Sequence, residues 1–215
     1  SLFDVIVKFI TDNNLNDRDI HELSKRHISL FLNSLTISTV TRNNYRRFIV
    51  SLIEQMVTDG ILTHNFASSI PKLAEKPTKN KPFTKDQLIA IKNYLTANDP
   101  YLYKYISFIM YAILRPIEIN RIKIKDINIE QNIINLTTKT EVYATVLIID
   151  KLMAVINSME IDFSKKEYHL FTKFEHPFFW ETDVEKSKAD YFSERFKKVK
   201  IALELGKEYG LYSFK

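Results

Sequence analysis

Apolar residues recur at helical spacing through the first 75 positions, in "LFDVIVKFI" (2–10), "HISLFLNSL" (27–35) and "STVTRNNYRRFIVSLIEQMVTDG" (38–60). In the last stretch Tyr45, Ile49, Leu52, Ile53 and Met56 fall on one face of a 3.6-residue period. Ser38 stands where a helix start is capped and Gly60 where one stops, while Asn65 can cap one more short turn before Pro71. Beyond a break at Pro77 and Pro82, Thr84 with Gln87 three residues later forms a capping box for a helix over about 85–97. A second helix is expected over about 101–113. Pro116 suits the first turn of a third, running to about Lys123. The pattern then changes to β-branched runs, "INLTT" (134–138) and "ATVLIID" (144–150), separated by "KTEVY". These predict a small hairpin. Helices return at about 151–158 and 188–205. The expected fold class is mainly α with a small antiparallel β-sheet. Its expected domains are a helical one over 1–75, a linker over 76–82 and an α+β one over 83–215.

Charge sharpens this division. The net charge is +5, with 31 basic and 26 acidic residues. Residues 1–75 carry eight of each sign, 93–150 six of each, and 151–215 twelve basic against eleven acidic. Residues 76–92, "KPTKNKPFTKDQLIAIK", carry five lysines against one aspartate, so the excess sits there. Such a patch fits contact with a polyanion, and equally a solvated linker. The chain has no cysteine and three glycines. That excludes disulfides, thiol nucleophiles and thiolate metal sites, and leaves no Gly-rich phosphate loop. The five histidines show no metal-ligand spacing, so no cofactor or metal is expected. No apolar run approaches the ~20 residues of a bilayer span, and the start lacks the features of a signal peptide. A cytoplasmic location and no membrane partner are the expectations. Phe178, Phe179 and Trp180 read as core packing, with an exposed partner-binding loop as the alternative.

One arginine resists the core pattern. Arg115 closes the apolar run 111–114 and is followed at once by Pro116, with Glu118 three residues on. A guanidinium is always charged and costly to bury. By residue type alone Arg115 is a snorkelling helix end paired with Glu118. "ILRPIEINRIKIKDI" (113–127), however, resembles the first catalytic box of the tyrosine recombinases, the phage-integrase family. "NIINLTTKTEVYATVLI" (132–148) is similar to that family's β-hairpin, with Lys139 at the position of its lysine. "PFTKDQLIAI" (82–91) resembles the opening of its catalytic domain, and "NNYRRFIVSLIEQMVTDGILTHNFASSI" (43–70) part of its helical core-binding domain. Two departures stand out: Glu141 at a hairpin tip that is commonly basic, and Phe66 where a proline is common. "GLYSFK" (210–215) resembles the segment just before a His-x-x-Arg box and the nucleophilic tyrosine, so the resemblance implies a catalytic domain truncated before that box.

The resemblance implies a site-specific recombinase or integrase of a mobile element. Such an enzyme clamps duplex DNA, works as a homo-tetramer on it, and breaks and rejoins strands through a 3′-phosphotyrosine without a small-molecule substrate. The 215 residues are then expected to bind DNA without cleaving it. Arg115 would stabilise charge on the reacting phosphate, Glu118 would orient it, and Lys139 would serve as general acid to the leaving 5′-oxygen. An arginine suits this task because its planar fork takes two phosphate oxygens at once. Expected DNA contacts are Thr39, Arg42, Asn43, Arg46 and Arg47 on the polar side of helix 38–60, with Lys25 as a second patch and Lys79 and Lys81 in the linker. For each residue singly, a wet surface position is an equal reading. A non-catalytic DNA-binding regulator and a helical protein-interaction domain are the competing functions.

Overall fold

The computed structural model describes residues 2–17, 19–75, 80–137, 143–180 and 185–215, without the side chains of 2, 137, 143 and 185–189. The chain divides into two compact units, Ser1–Pro77 and Thr78–Lys215. It is mainly α-helical with one small antiparallel sheet, the expected class.

The first unit is built on α1 (Leu2–Asp12), α2 (Lys25–Ser34) and α3 (Thr39–Thr58). Ser38 caps α3 by accepting the Thr41 backbone N–H at 3.2 Å. Past its end Gly60 turns the chain with φ +74°, a conformation that costs glycine nothing. The expected Asn65 cap is present, its Oδ1 accepting the Ala67 N–H at 3.1 Å. Phe31, Leu32, Ile49, Ile53, Leu62, Ala67 and Ile70 form the core, with Phe9 edge-on to Phe31.

The second unit begins with α4 (Lys85–Asn98) and α5 (Pro100–Ala112). The Thr84–Gln87 box is made in both directions, at 2.9 and 3.2 Å. Asp99 ends α4 and caps α5 by accepting the Leu102 N–H at 2.9 Å. After α5 come the single turn α6 (Pro116–Ile119), a 3-10 turn (Ile124–Asp126), and strands β1 (Ile127–Asn128), β2 (Ile133–Thr137) and β3 (Tyr143–Leu147). The strands lie in the order β1-β2-β3, with Ile134 opposite Val146 and Asn135 opposite Thr145. Alternation turns Ile134 and Leu136 into the core and leaves Asn135 and Thr145 exposed. Then follow α7 (Asp150–Asn157), α8 (Glu185–Ala202) and a final 3-10 turn (Leu211–Phe214).

Helix α5 is the centre of this unit. Tyr101, Leu102, Tyr105, Ile106, Phe108, Ile109 and Ala112 are all buried. Tyr105 stacks on Phe192 of α8 at 3.8 Å, and Phe171 meets Tyr105 and Phe108 edge-on at 5.3 and 5.1 Å. Each such ring contributes about 1.5–3 kcal/mol by leaving water. The unit's two ends meet where Phe83 packs on Tyr209 and Phe214.

Two expectations need correction. The helix from Pro116 stops at Ile119 rather than Lys123. There the backbone turns outward to pair with a distant segment: Leu170 N–H donates to Ile122 O, and Ile124 N–H to Tyr168 O, both at 2.9 Å. The hairpin read at 134–150 gains a third, two-residue strand, β1, on its edge, inside the span of about 127–149 expected for the sheet. Phe178 and Phe179 are 40% and 52% exposed and cluster with Tyr168 instead of joining the core, whereas Trp180 is buried.

Arg195 ties α8 to the α4–α5 junction. Its Nε and Nη2 donate to the two oxygens of Asp99 at 2.5 and 2.7 Å, while Nη1 reaches Glu175 at 2.7 Å. Arg195 and Asp99 are 15% and 14% exposed in their side chains. Removing one partner leaves the other charge in a poorly hydrated site. Arg195→Ala should therefore lower stability by about 3–5 kcal/mol in urea unfolding. Arg195→Lys should recover little of the loss, because an ammonium cannot make the paired contact. An unchanged midpoint for either variant would contradict this.

A second ion cluster holds the segment after α6. Glu167 accepts from Lys123 at 2.9 Å and Lys125 at 2.8 Å, and these contacts lower its pKa to about 2. A depressed carboxyl contributes stability that is full above its unfolded value of ~4.3 and lost as pH falls through the folded one. An NMR titration of Glu167 should give a midpoint near 2. A midpoint at the ordinary carboxylate value would show that the two lysines do not hold it.

Candidate functional site

The turn carrying Arg115 is set by what precedes it. Ala112 ends α5 in the core, and Ile113 follows with φ 55°, in the left-handed region. A non-glycine residue there costs about 1–2 kcal/mol, and such strain persists only where surrounding packing imposes it. The reversal returns Leu114 to the core, 3% exposed, and leaves Ile113 and Arg115 outside. Arg115 has extended backbone, at φ −79° and ψ 149°, and stands at the N-cap of α6. Proline at the next position loses no hydrogen bond, because that N–H would have no helical partner.

Glu118, one turn on, closes the site. One carboxylate oxygen accepts the Arg115 backbone N–H at 2.7 Å, and the other accepts Arg115 Nη1 at 2.9 Å. The Glu118 side chain is 16% exposed and that of Arg115 61%. The root and one corner of the guanidinium are thereby fixed. Among the described residues no group takes its Nε or Nη2. A fork held this way presents free donors to a planar or tetrahedral anion with part of the ordering cost already met. Lys139, expected beside it, lies outside the described residues.

Helix α3 answers its expectations unevenly. Asn43 is buried, and its amide bridges the end of the unit: Nδ2 donates to Leu73 O at 2.9 Å and Glu75 Oε1 at 2.7 Å, while Oδ1 accepts the Leu73 N–H at 3.0 Å. The Nδ2 bond to its carboxylate also lowers the Glu75 pKa. Asn43 is thus a structural clip, buried and bonded inside the unit, which corrects its reading as an exposed residue of the polar face. Arg46 is corrected in part, since Nε donates to Ile70 O at 2.5 Å and Nη2 to Ser68 O at 3.0 Å. Both bonds reach back from residues 24 and 22 positions further along the chain.

The remaining cations are better placed for a ligand. Arg47 is exposed, with Nη2 donating to Asn44 Oδ1 at 3.3 Å. Lys25 is exposed at the start of α2. Arg42 is half-buried, with Nη2 donating to Asn33 at 2.9 Å, and Thr39 is half-buried in the first turn of α3. In the second unit Lys81 is exposed, its Nζ 5.8 Å from the Tyr209 ring. Lys79 lies outside the described residues. Among those described, no group of three or more histidine or acidic residues could hold a metal ion, and no helix is long and apolar enough to cross a membrane.

No family model matches the chain, and no curated protein matches it in sequence. Solved structures do match in fold. A lambda integrase dimer bound to a COC′ core site aligns over 99% of this chain and 77% of its own, with a TM-score of 0.71 at 15% identity. Of a longer lambda integrase chain on the same site, this chain spans 60%. The Tn1549 transposon integrase in complex with a circular intermediate DNA aligns over 100% of this chain and 84% of its own, with a TM-score of 0.71 at 14% identity. Identities this low speak for architecture alone, and in architecture the chain has the fold seen in these two integrases.

Proposed function

We propose that these residues bind duplex DNA and that Arg115 is set against a backbone phosphate. The observation that carries the reading is the Arg115–Glu118 turn: a guanidinium fixed at its root, open at its tip, and mounted on a strained reversal. Lys25, Thr39, Arg42, Arg47 and Lys81 supply further contacts to the DNA backbone, joined by Lys79 and Lys139. Such contacts give affinity and position, not sequence choice. Asn43 and the two occupied donors of Arg46 have no part in it.

In this reading the protein is a site-specific recombinase or integrase of a mobile element, acting as a homo-tetramer on DNA in the cytoplasm. A tyrosine hydroxyl gives its proton to solvent as its oxygen attacks the phosphorus, the bond to the 5′-oxygen breaks, and Lys139 gives that oxygen a proton. The added charge on the non-bridging oxygens meets Arg115, while Glu118 keeps the fork aimed. None of the five histidines is followed by arginine at the His-x-x-Arg spacing. The resemblance implies that the complete reaction also uses that box and a nucleophilic tyrosine following it. The same observation keeps a non-catalytic DNA-binding regulator as the second reading.

Electrophoretic shift of a duplex by the 215-residue chain tests the proposal. Affinity should fall steeply as salt rises. Arg115→Ala should reduce the slope of log affinity against log salt by about 1, the mark of one lost phosphate contact. A nicked suicide duplex should give no covalent adduct with this chain. Salt-independent binding, or a slope unchanged by Arg115→Ala, would refute the proposed role, and an adduct would refute the assignment of the nucleophile.

A further inference from the structure

Helix α6 has only four residues, far below the length at which a helix is stable alone. Something outside it must hold it. Beneath it lies Tyr105, 0% exposed, with its ring stacked on Phe192. Its hydroxyl is 3.1 Å from the Pro116 carbonyl oxygen and 3.1 Å from the side-chain oxygen Oδ1 of Asn120, itself 3% exposed. Pro116 is the first residue of α6 and Asn120 its C-cap, so one buried phenol touches both ends of the turn.

The proton count fixes the direction of these bonds. The phenol has one proton, and the Pro116 carbonyl can only accept. Tyr105 therefore donates to both, sharing its proton between the Pro116 carbonyl and Asn120 Oδ1. Pro116 O accepts the Asn120 backbone N–H as well, at 3.0 Å, which closes a ring of three groups. Burial pushes the Tyr105 pKa well above its ordinary value, so the donor is present at any physiological pH.

We propose that Tyr105 and Asn120 are positioning residues for Arg115: through Pro116 they fix the plane of α6 and hence the direction of the guanidinium. The inference rests on the DNA reading for its consequence but not for its geometry, and the two are tested separately. In the free protein, Tyr105→Phe keeps the ring stack and removes the one proton. Hydrogen exchange at the Glu118, Ile119 and Asn120 amides should then quicken about fivefold, the scale of one hydrogen bond, while the amides of α5 stay as they were. On duplex DNA, Tyr105→Phe should weaken binding about fivefold in the wild-type background and leave binding unchanged beside Arg115→Ala. Asn120→Ala, which leaves the phenol in place, should show the same coupling at smaller size and serves if Tyr105→Phe does not fold. Unchanged exchange in α6 would overturn the clamp. Equal loss of affinity with and without Arg115 would overturn the positioning role. Quickened exchange with no DNA effect of either Arg115→Ala or Tyr105→Phe would retain the clamp as geometry and reject the DNA reading.

Discussion

A cation that is to grip a phosphate has to be held still without being taken out of water. The turn at Arg115 meets both demands. Burial would fix the guanidinium and strip its hydration at a cost no single partner offsets. Full exposure would leave several rotatable bonds to be ordered at each encounter. Glu118 resolves the conflict by gripping the arginine at its backbone N–H and at one corner of the fork. The carboxylate is largely covered, and the guanidinium is mostly wet.

The rest of the second unit supports that turn. Helix α5 is buried on nearly every side, so the point where it ends is fixed by packing and not by local preference. Ile113 accepts a left-handed backbone because Ala112 and Leu114 on either side are locked in the core. Tyr105 is seated by Phe192 and Phe171, and Phe192 lies on the same helix as Arg195, whose pairing with Asp99 fastens α8 to the start of α5. Stability and site geometry thus share one set of residues.

Local signals in the sequence were legible and long-range ones were not. The Thr84–Gln87 box, the Ser38 cap and the change of period at the hairpin are each contained within a few residues, and each appears in the structure. Arg115 stood out because a charge ended an apolar run. The polar face of α3 misled. Asn43 and Arg46 have the spacing of surface residues, but their partners at 68–75 come from a segment whose return path no periodicity encodes. The stop of α6 at Ile119 has the same origin, in backbone pairing with 168–170. Tyr105 and Asn120 gave no signal, since a tyrosine in an apolar helix reads as core and its hydroxyl partner cannot be seen.

The central claim is that the open donors of Arg115 meet a DNA phosphate. Nitrogen-15 NMR of the arginine Nε–H groups during a duplex titration tests it most directly. The account predicts that the Arg115 resonance moves with DNA and returns as salt is added, while those of Arg46 and Arg195, tied to carbonyls and to Asp99, stay in place. An Arg115 resonance that does not move at saturating DNA would contradict it.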